Sequence, residues 1–345
     1  MPDDFSSSVP TEPGFHWLAR RSQMQRPPRW YPSRMTRFVL LVVVACGGFC
    51  FGCDDGSGPP SDGGSVDGGD DSGGAGDAGD EDAGDVRDSS VDGGTIDGGI
   101  PGGSAGCGIE TALATGEWVA QTVDVDAVTR DYWVWVPVGY DPRRAYPVIY
   151  QFHGCSEVTS EARNNPPVEE HSGADAILVR GRSVADCWDT VADGTGVALF
   201  DALVAKVESA LCGDLSRRFA TGYSSGSFLT HRLGCVRGDM LRGVATIAGG
   251  QGGSSCVGTV AALLIHDDTD SIVALSASEA ARDTHLARNG CDAAAPRTPT
   301  SFPPCEAYAG CDPATPVVWC QTTGLDHSRQ DHLSAPAFWD FLSGL

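Results

Sequence analysis

Residues 54–106 limit what this chain can fold into, because they consist almost entirely of Gly, Asp, Ser and Ala. The tetrapeptide VDGG or IDGG recurs there at positions 66, 91 and 96, and 14 acidic residues stand against a single Arg. Such a segment has too little apolar surface to offset the entropy lost on ordering. Calcium-binding repeats are the alternative, but the Asp spacing lacks the alternating ligands of an EF-hand loop. We therefore predict a disordered, self-repelling acidic spacer at 54–106 and a folded domain at 107–345.

A short apolar segment precedes the spacer. Residues 38–53 read FVLLVVVACGGFCFGC and follow the positively charged MTR at 35–37, so we assign residues 1–53 to an N-terminal extension and an export signal. The apolar segment is too short and too rich in Gly for a membrane span. It resembles a bacterial lipoprotein signal, in which a Cys becomes the lipidated first residue, and Cys46 and Cys53 are the candidates. A plain secretory signal is the alternative, and Met35 is a candidate start of the chain.

The charge and the cysteines of residues 107–345 exclude several kinds of partner. This segment carries 29 acidic and 16 basic side chains, a net charge of −13, which would repel nucleic acid or any other polyanion. Ten of the 13 cysteines lie here, and an even number behind an export signal indicates disulfides. The segment contains no C-x-x-C pair, so we predict no metal site. We expect Cys155 to pair with Cys187, because both follow central strands that end at the same edge of the sheet.

Strands alternate with helices along the domain. The continuous apolar run YPVIYQF at 146–152 is typical of a strand buried on both faces, and residues 197–211 repeat apolar side chains at helical spacing. This alternation predicts a three-layer α/β sandwich with a mainly parallel central sheet, stabilised by disulfides. The other predicted strands are 118–125, 131–137, 176–179, 218–221, 244–247, 260–265 and 317–319, and the other predicted helices are 228–235, 274–287 and 335–345.

The sequence GYSSG at 222–226 matches G-x-S-x-G, the turn that presents a nucleophilic serine in α/β-hydrolases. A second match at 102–106 centres on Ser104. Ser224 lies between a predicted strand and a predicted helix, as the motif requires, whereas Ser104 lies in the spacer with neither. We therefore predict that Ser224 is the nucleophile and that the match at Ser104 arises by chance.

An acid and a base should follow Ser224 along the chain, because a serine hydroxyl needs a histidine to take its proton and a carboxylate to orient that histidine. In α/β-hydrolases both lie on loops after later strands, the acid first. Asp270, beyond the strand at 260–265, is the predicted acid. Asp267 and Asp268 are interpreted as residues that cap the same turn.

The base is predicted after the strand at 317–319. His327 comes soon after a Gly just off that strand, which is the place of the mobile His loop. His332 is the alternative, interpreted as a residue that caps or flanks the last helix. We expect both histidines to precede that helix.

The negative oxygen of a tetrahedral intermediate needs backbone N–H donors. Ser225, at the start of the helix after the nucleophile, is one predicted donor. Cys155 is the other, because it follows the His153-Gly154 pair directly after the buried strand at 146–152. Trp188, beside Cys187, is a candidate substrate contact that could stack on an aromatic acyl group, and the alternative is a core residue beside a disulfide.

Longer segments around these motifs resemble the secreted esterase family that joins feruloyl esterases with polyhydroxybutyrate depolymerases. The resemblance implies an α/β-hydrolase fold, ester hydrolysis without metal or organic cofactor, and a triad of Ser224, Asp270 and His327. This chain departs from the family pattern in two places: Asp267 replaces the Gly of H-G-x-x-D, and Leu325-Asp326 replaces the Gly pair of G-G-H. The segments that carry the resemblance are RDYWVWVPVGYDPRRAYPVIYQFHGC, RRFATGYSSGSFLTHRLGC and RGVATIAGG, and the segments closer to the feruloyl-esterase branch are NGC at 289–291, PPCEAYAGC, PVVWC and APAFWDFL.

These observations predict an exported serine carboxylic-ester hydrolase that forms an acyl-enzyme, with a feruloyl ester of plant cell-wall polysaccharide as the preferred substrate. A polyhydroxybutyrate depolymerase or short-chain esterase is one alternative, and an inactive hydrolase fold that binds at the cell surface is another. The net negative charge favours an uncharged ester, and we expect no appended module after the last helix. We further expect a monomer, located outside the cell or on its surface, that meets a membrane only through a lipid anchor.

Overall fold

A computed structural model describes residues 100–156, 163–191, 194–251, 253 and 255–345. The predicted signal at 1–53, with Cys46 and Cys53, and nearly all of the predicted spacer lie outside these residues. Within the described part of the chain, no helix is both long enough and apolar enough to cross a bilayer.

The described residues form a ten-stranded sheet in the order β1-β2-β4-β3-β5-β6-β7-β10-β9-β8. The six central strands, from β4 to β10, are parallel, and each edge of the sheet adds two antiparallel strands. β3 and β6 are buried at every residue, as central strands covered on both faces must be. The strands are β1 Trp118–Val125, β2 Val128–Trp135, β3 Tyr146–Phe152, β4 Ile177–Gly181, β5 Gly213–Tyr223, β6 Gly243–Ile247, β7 Ala261–Asp267, β8 Thr298–Pro299, β9 Cys305–Ala307 and β10 Val317–Thr322.

Helices cover both faces of this sheet. One apolar core unites the sheet with α2, α3 and α4, and a second core unites the opposite face with α5 and Val168, which precedes α1. The predicted three-layer α/β sandwich with a mainly parallel sheet is therefore confirmed. The helices are α1 Glu169–Ser172, α2 Thr195–Glu208, α3 Ser225–Val236, α4 Leu275–Arg288 and α5 Asp331–Ser343.

The structure corrects the start of the last helix. The sequence predicts that it begins at residue 335, but α5 begins at Asp331 and includes Pro336. Pro336 is the sixth residue of α5, so it has no N–H to donate to the carbonyl of His332, and the helix continues past that missing bond. His332 therefore lies inside α5 rather than before it.

The folded domain begins upstream of Cys107, its predicted first residue. The Ser104 N–H donates to Gly213 O at 2.8 Å, and the Gly106 N–H donates to Glu208 O at 2.8 Å. The Ser104 side chain is buried, and its hydroxyl donates to Leu211 O at 2.7 Å. The second G-x-S-x-G match thus lies in a segment that packs against the turn between α2 and β5, so its serine has a structural role.

All ten cysteines of the domain are paired, which fits an oxidising compartment. The predicted bond between Cys155 and Cys187 is confirmed. It joins the loop after β3 to the loop after β4, because β3 and β4 are parallel neighbours and end at the same edge. The other pairs are Cys107–Cys212, Cys235–Cys256, Cys291–Cys311 and Cys305–Cys320.

Candidate active site

Ser224 occupies the sharp turn between β5 and α3. Its backbone has φ 52° and ψ −119°, a conformation that residues other than Gly rarely adopt. The Ser224 N–H donates to Ile247 O at 3.0 Å, and its carbonyl accepts from the N–H of Ser227 at 2.9 Å. These bonds hold the strained residue in place, as in the nucleophile turn of α/β-hydrolases.

The two glycines of the motif are required by close backbone packing. A Cβ on Gly226 would lie 1.8 Å from Phe152 O, and a Cβ on Gly222 would lie 2.2 Å from Gly226 O. Both separations are far below van der Waals contact. The start of α3 therefore rests directly on the end of β3, which brings Ser224 next to the loop that begins at His153.

His327 joins Ser224 to Asp270. The Nε2 atom of His327 lies 2.9 Å from Ser224 Oγ, and its Nδ1 atom lies 2.8 Å from Asp270 Oδ2. A carboxylate can only accept, so Nδ1 carries the proton and Nε2 is left to accept from the serine hydroxyl. The structure thus brings together the three residues that the sequence predicts, with the histidine in the tautomer that a general base requires.

Asp270 is held by its own loop and is shielded from water. Its side chain is 0% exposed, and its Oδ1 atom accepts from the N–H groups of Ile272 at 2.9 Å and Val273 at 2.8 Å. His266 Nε2 lies 3.6 Å from Asp270 Oδ2 but bonds to Val273 O at 3.0 Å. His266 therefore supports the turn that carries the acid.

The other candidates in the two loops lie elsewhere. Asp268 is exposed, and Asp267 is buried but faces the backbone of residues 325 and 326. His332 is exposed on the first turn of α5. None of these three side chains contacts Ser224 or Asp270 within the described residues.

The predicted oxyanion donors lie on both sides of the contact between β3 and α3. Ser225 is the first residue of α3, so its N–H points out of the positive end of the helix. Cys155 is fixed by its disulfide to Cys187. Among the described residues, neither N–H group has a hydrogen-bond acceptor, so both are free to donate to a developing negative oxygen.

Trp188 has a different place from the one proposed for a substrate contact. Its side chain is 6% exposed, and its ring packs edge-on against Phe152 with centroids 5.3 Å apart. Its indole N–H donates to His153 O at 2.8 Å, and its backbone N–H donates to Ser225 Oγ at 2.8 Å. The prediction of a stacking platform is corrected, because the indole is inside the core, where it binds the loop of one candidate donor and the residue that supplies the other.

Two further residues contact the site and were not singled out in the sequence. The Tyr223 hydroxyl donates to His327 O at 3.3 Å, and burial, followed by the negative charge of Asp270, raises the pKa of the Tyr223 phenol. Asn164 accepts from the N–H of Gly154 at 3.2 Å through its carbonyl oxygen. Tyr223 could have been found as the variable residue of G-x-S-x-G, whereas no local pattern marks Asn164.

Within the described residues, no group of three His, Cys, Asp or Glu side chains could hold a metal ion. The groups that meet at Ser224 are a serine hydroxyl, an imidazole, a carboxylate and two backbone N–H donors. Such a set matches acyl transfer from an ester.

Comparison with known proteins identifies the family of this chain. No protein-family model matches the chain. A probable feruloyl esterase C of Aspergillus terreus, however, is 30% identical over 257 residues, which cover 70% of this chain and 91% of that protein. The chain belongs to the feruloyl esterase C and D family. Membership makes it an enzyme of the carboxylic ester hydrolase class, which removes the alternative of an inactive binding protein.

Other relatives support the same family and fold. The feruloyl esterase D of Neurospora crassa is 27% identical over 268 residues, covering 70% of this chain and 90% of that protein. Among solved structures, the acetyl xylan esterase from Aspergillus awamori superposes with a TM-score of 0.51 at 14% identity, covering 66% of this chain and 100% of that one. At that identity the match establishes the α/β-hydrolase fold alone.

Proposed function

We propose that this feruloyl esterase family member cleaves its ester through an acyl-enzyme on Ser224, with His327 as base and Asp270 as its orienting acid. The proposal rests on the chain of contacts from Ser224 Oγ through His327 to Asp270, at 2.9 and 2.8 Å. Oγ bonds to the carbonyl carbon while His327 Nε2 takes the hydroxyl proton. The imidazolium then gives that proton to the departing alcohol oxygen as the ester bond breaks.

Water completes the cycle on the same residues. His327 takes a proton from a water molecule whose oxygen bonds to the acyl carbon, and Ser224 Oγ leaves with the proton that His327 returns. In both halves the carbonyl oxygen becomes negative. The N–H groups of Ser225 and Cys155 are the proposed donors to it, and an oxyanion donor typically contributes about 3–4 kcal/mol to transition-state stability.

The proposed substrate is a feruloyl ester of a plant cell-wall polysaccharide. Two observations favour it: the relatives named above are feruloyl esterases, and the net charge of −13 over residues 107–345 favours an uncharged guest over a polyanion. A polyester or a short-chain ester is the competing substrate class.

A comparison of three esters tests the substrate. We expect a higher kcat/KM for methyl ferulate than for a hydroxybutyrate trimer, with p-nitrophenyl acetate as a reference ester that has no aromatic acyl group. A preference for the trimer would transfer the function to polyester hydrolysis. A fluorophosphonate probe tests the mechanism separately, since it should label Ser224 whichever ester is preferred, and a chain without labelling would contradict the acyl-enzyme.

We also propose that the protein is exported and held at the cell envelope by a lipid on Cys46 or Cys53. The five disulfides support an oxidising location. The lipid rests on the sequence at 38–53 alone, because those residues lie outside the described part of the chain.

A further inference from the structure

We propose that Asp267 and Asp326 are positioning residues. Asp267 accepts two backbone N–H groups from the loop that carries His327, Asp326 accepts one from the loop that carries Asp270, and together they fix His327 against Asp270. The proposal rests on the proposed roles of His327 and Asp270. It concerns the two places where this chain departs from the glycines of the family pattern.

Asp267 binds the His loop from the end of β7. Its side chain is buried, and its Oδ2 atom accepts from the N–H of Leu325 at 3.1 Å and from Thr322 Oγ1 at 2.9 Å. Its Oδ1 atom accepts from the N–H of Asp326 at 3.2 Å and from both the N–H and the hydroxyl of Thr269. One carboxylate thus joins its own turn to two consecutive N–H groups immediately before His327.

The ionised form of Asp267 is the one that these bonds stabilise. Burial raises the pKa of its carboxyl, but hydrogen bonds from Thr269, Thr322 and Leu325 outweigh burial and leave the pKa below its ordinary value. All five groups donate, so a protonated or amide side chain could not satisfy them all. We call this set of five hydrogen bonds to Asp267 the clamp. It requires a carboxylate rather than any polar side chain of similar size.

Asp326 makes the reciprocal contact. Its Oδ1 atom accepts from the N–H of Ser271 at 2.8 Å, and Ser271 directly follows Asp270. Asp326 has φ 54°, in the left-handed region that Asp and Asn occupy more readily than most residues. This backbone conformation turns the chain so that the next residue, His327, faces Ser224 while the Asp326 side chain returns to the acid loop.

The His loop has few other restraints. Residues 323–326 are exposed and lie beyond the end of β10, so little apolar packing fixes them. β7 and β10 are parallel neighbours with Asp267 paired to Thr322, which places the ends of the two loops side by side. Besides the two carboxylates, Thr269 Oγ1 holds this loop by accepting from the N–H groups of Gly324 at 3.1 Å and Asp326 at 3.4 Å, and Thr269 is itself bound to Asp267. The bond from Tyr223 to the His327 carbonyl adds one more contact.

Asp267→Asn tests the buried clamp, and Asp268→Asn is the matched control because Asp268 is the exposed carboxylate next to it. The amide of D267N would direct hydrogens at one set of backbone donors, so the His loop should shift. We expect kcat to fall by about 10- to 100-fold with KM within twofold, since small misplacements of catalytic groups cost rate rather than binding. D268N should match the parent enzyme.

Variants of Asp326 separate the effect of its hydrogen bond to Ser271 from the effect of its positive φ. D326N keeps one acceptor oxygen and tolerates positive φ, so it should keep most of kcat. D326G removes the acceptor and tolerates positive φ, whereas D326A removes the acceptor and also adds backbone strain, because Ala adopts positive φ less readily than Asp. We expect both to lose about tenfold in kcat or more. Retention of kcat in D326G would overturn the role of Asp326.

Fluorophosphonate labelling distinguishes positioning from folding and from the mechanism itself. For D267N, we expect every Ser224 to be labelled at the endpoint, because the endpoint counts folded sites. The rate of labelling should fall by the same factor as kcat. A D267N protein with a lowered Tm and an unchanged labelling rate would overturn the proposal, because Asp267 would then be only structural. Failure of the parent enzyme to label would instead contradict the proposed function.

Discussion

The indole N–H of Trp188 donates a hydrogen bond to the carbonyl oxygen of His153, with 2.8 Å between the two heavy atoms. His153 opens the loop that carries Cys155, and the backbone N–H of Trp188 also donates to Ser225 Oγ at 2.8 Å. A single buried residue therefore contacts the segments of both proposed oxyanion donors. Its position explains why an aromatic side chain beside a disulfide lies at the site without facing the substrate.

Trp188→Phe should lower kcat by about tenfold on every ester. Phenylalanine keeps an aromatic ring against Phe152 but has no N–H, so His153 O loses its donor and the Cys155 loop is less firmly placed. The expected loss is a fraction of the effect of removing an oxyanion donor outright, which is about 100- to 1,000-fold. The measurement is kcat on methyl ferulate and on p-nitrophenyl acetate, side by side.

Equal losses on the two esters are the result that a positioning role requires, because acetate has no ring to stack. A loss confined to methyl ferulate would restore Trp188 as a substrate contact. Trp188→Tyr serves as a second variant: it retains a polar hydrogen but places it differently, so it should not recover the parent rate.

The elements that position the site follow from local sequence patterns. The buried run at 146–152 and the G-x-S-x-G turn predict β3 and the turn at Ser224, because a parallel central strand and close backbone packing restrict the residue types. The acid and the base follow from the strand ends that must precede them. Features that depend on neighbouring residues, or on the order of strands along the chain, could therefore be predicted.

The remaining features depend on contacts between distant residues. The sequence around Trp188 fits both a surface position and a core position, and its contacts with Phe152 and His153 show that it lies in the core. Asp267 looks like a turn cap, and only the pairing of β7 with β10 brings the backbone of Leu325 to its carboxylate. Ser104 follows an acidic low-complexity segment, yet it is buried and hydrogen-bonded to Leu211 O and Gly213 O, which lie more than 100 residues away in the chain.

Ser224→Ala should lower kcat by about 10⁴-fold or more and leave the fold intact, since members of a triad act as one unit. Ser104→Ala is the matched control at the other G-x-S-x-G sequence. It should leave kcat unchanged but cost about 1 kcal/mol of unfolding free energy, because Leu211 O loses one of its two donors and the Gly213 N–H loses the Ser104 hydroxyl as an acceptor. Ester hydrolysis and urea unfolding of both variants check this. Activity of S224A within tenfold of the parent would contradict the proposed nucleophile.

His327→Ala should lower kcat by about 10⁴-fold, because the Ser224 proton would have no acceptor. His332→Ala should keep kcat within about twofold, since the side chain lies exposed on α5 and has no role in the proposed chemistry. Both variants are compared by hydrolysis of methyl ferulate at neutral pH. The reverse order of activities would move the base to His332.

Replacing both Cys46 and Cys53 by Ser should release the exported protein from membranes. Lipid anchoring requires about two acyl chains or more for stable binding, and the thiol is the site of attachment. The measurement is partition between membrane and soluble fractions after expression of the full chain. Changing only Cys50, which the lipoprotein resemblance does not select, should leave the partition unchanged. Parent protein found wholly in the medium would contradict the anchor.

Two buried histidines outside the active site should make the stability of the folded protein depend on pH. His231 on α3 and His285 on α4 lie with Nδ1 and Nε2 3.2 Å apart, and His231 Nε2 lies 3.1 Å from Thr246 Oγ1 on β6. Burial, with a smaller contribution from Arg288, lowers the pKa of His285 to about 3. Burial and the neighbouring His285 lower the pKa of His231 well below its ordinary value.

The unfolding free energy should therefore fall as the pH falls below about 6.5, the ordinary pKa of histidine. Above that pH both histidines are neutral in the folded and unfolded chains, and they contribute no pH dependence. Below it the unfolded chain binds protons that the folded chain excludes, at a cost of about 1.4 kcal/mol per pH unit for each histidine.

His285→Gln removes one of these groups and keeps a donor for His231. Between pH 7 and pH 5 it should lose about 2 kcal/mol less than the parent in urea unfolding, whereas His332→Gln should follow the parent. Parallel curves for H285Q and the parent would show that this histidine pair does not control acid stability.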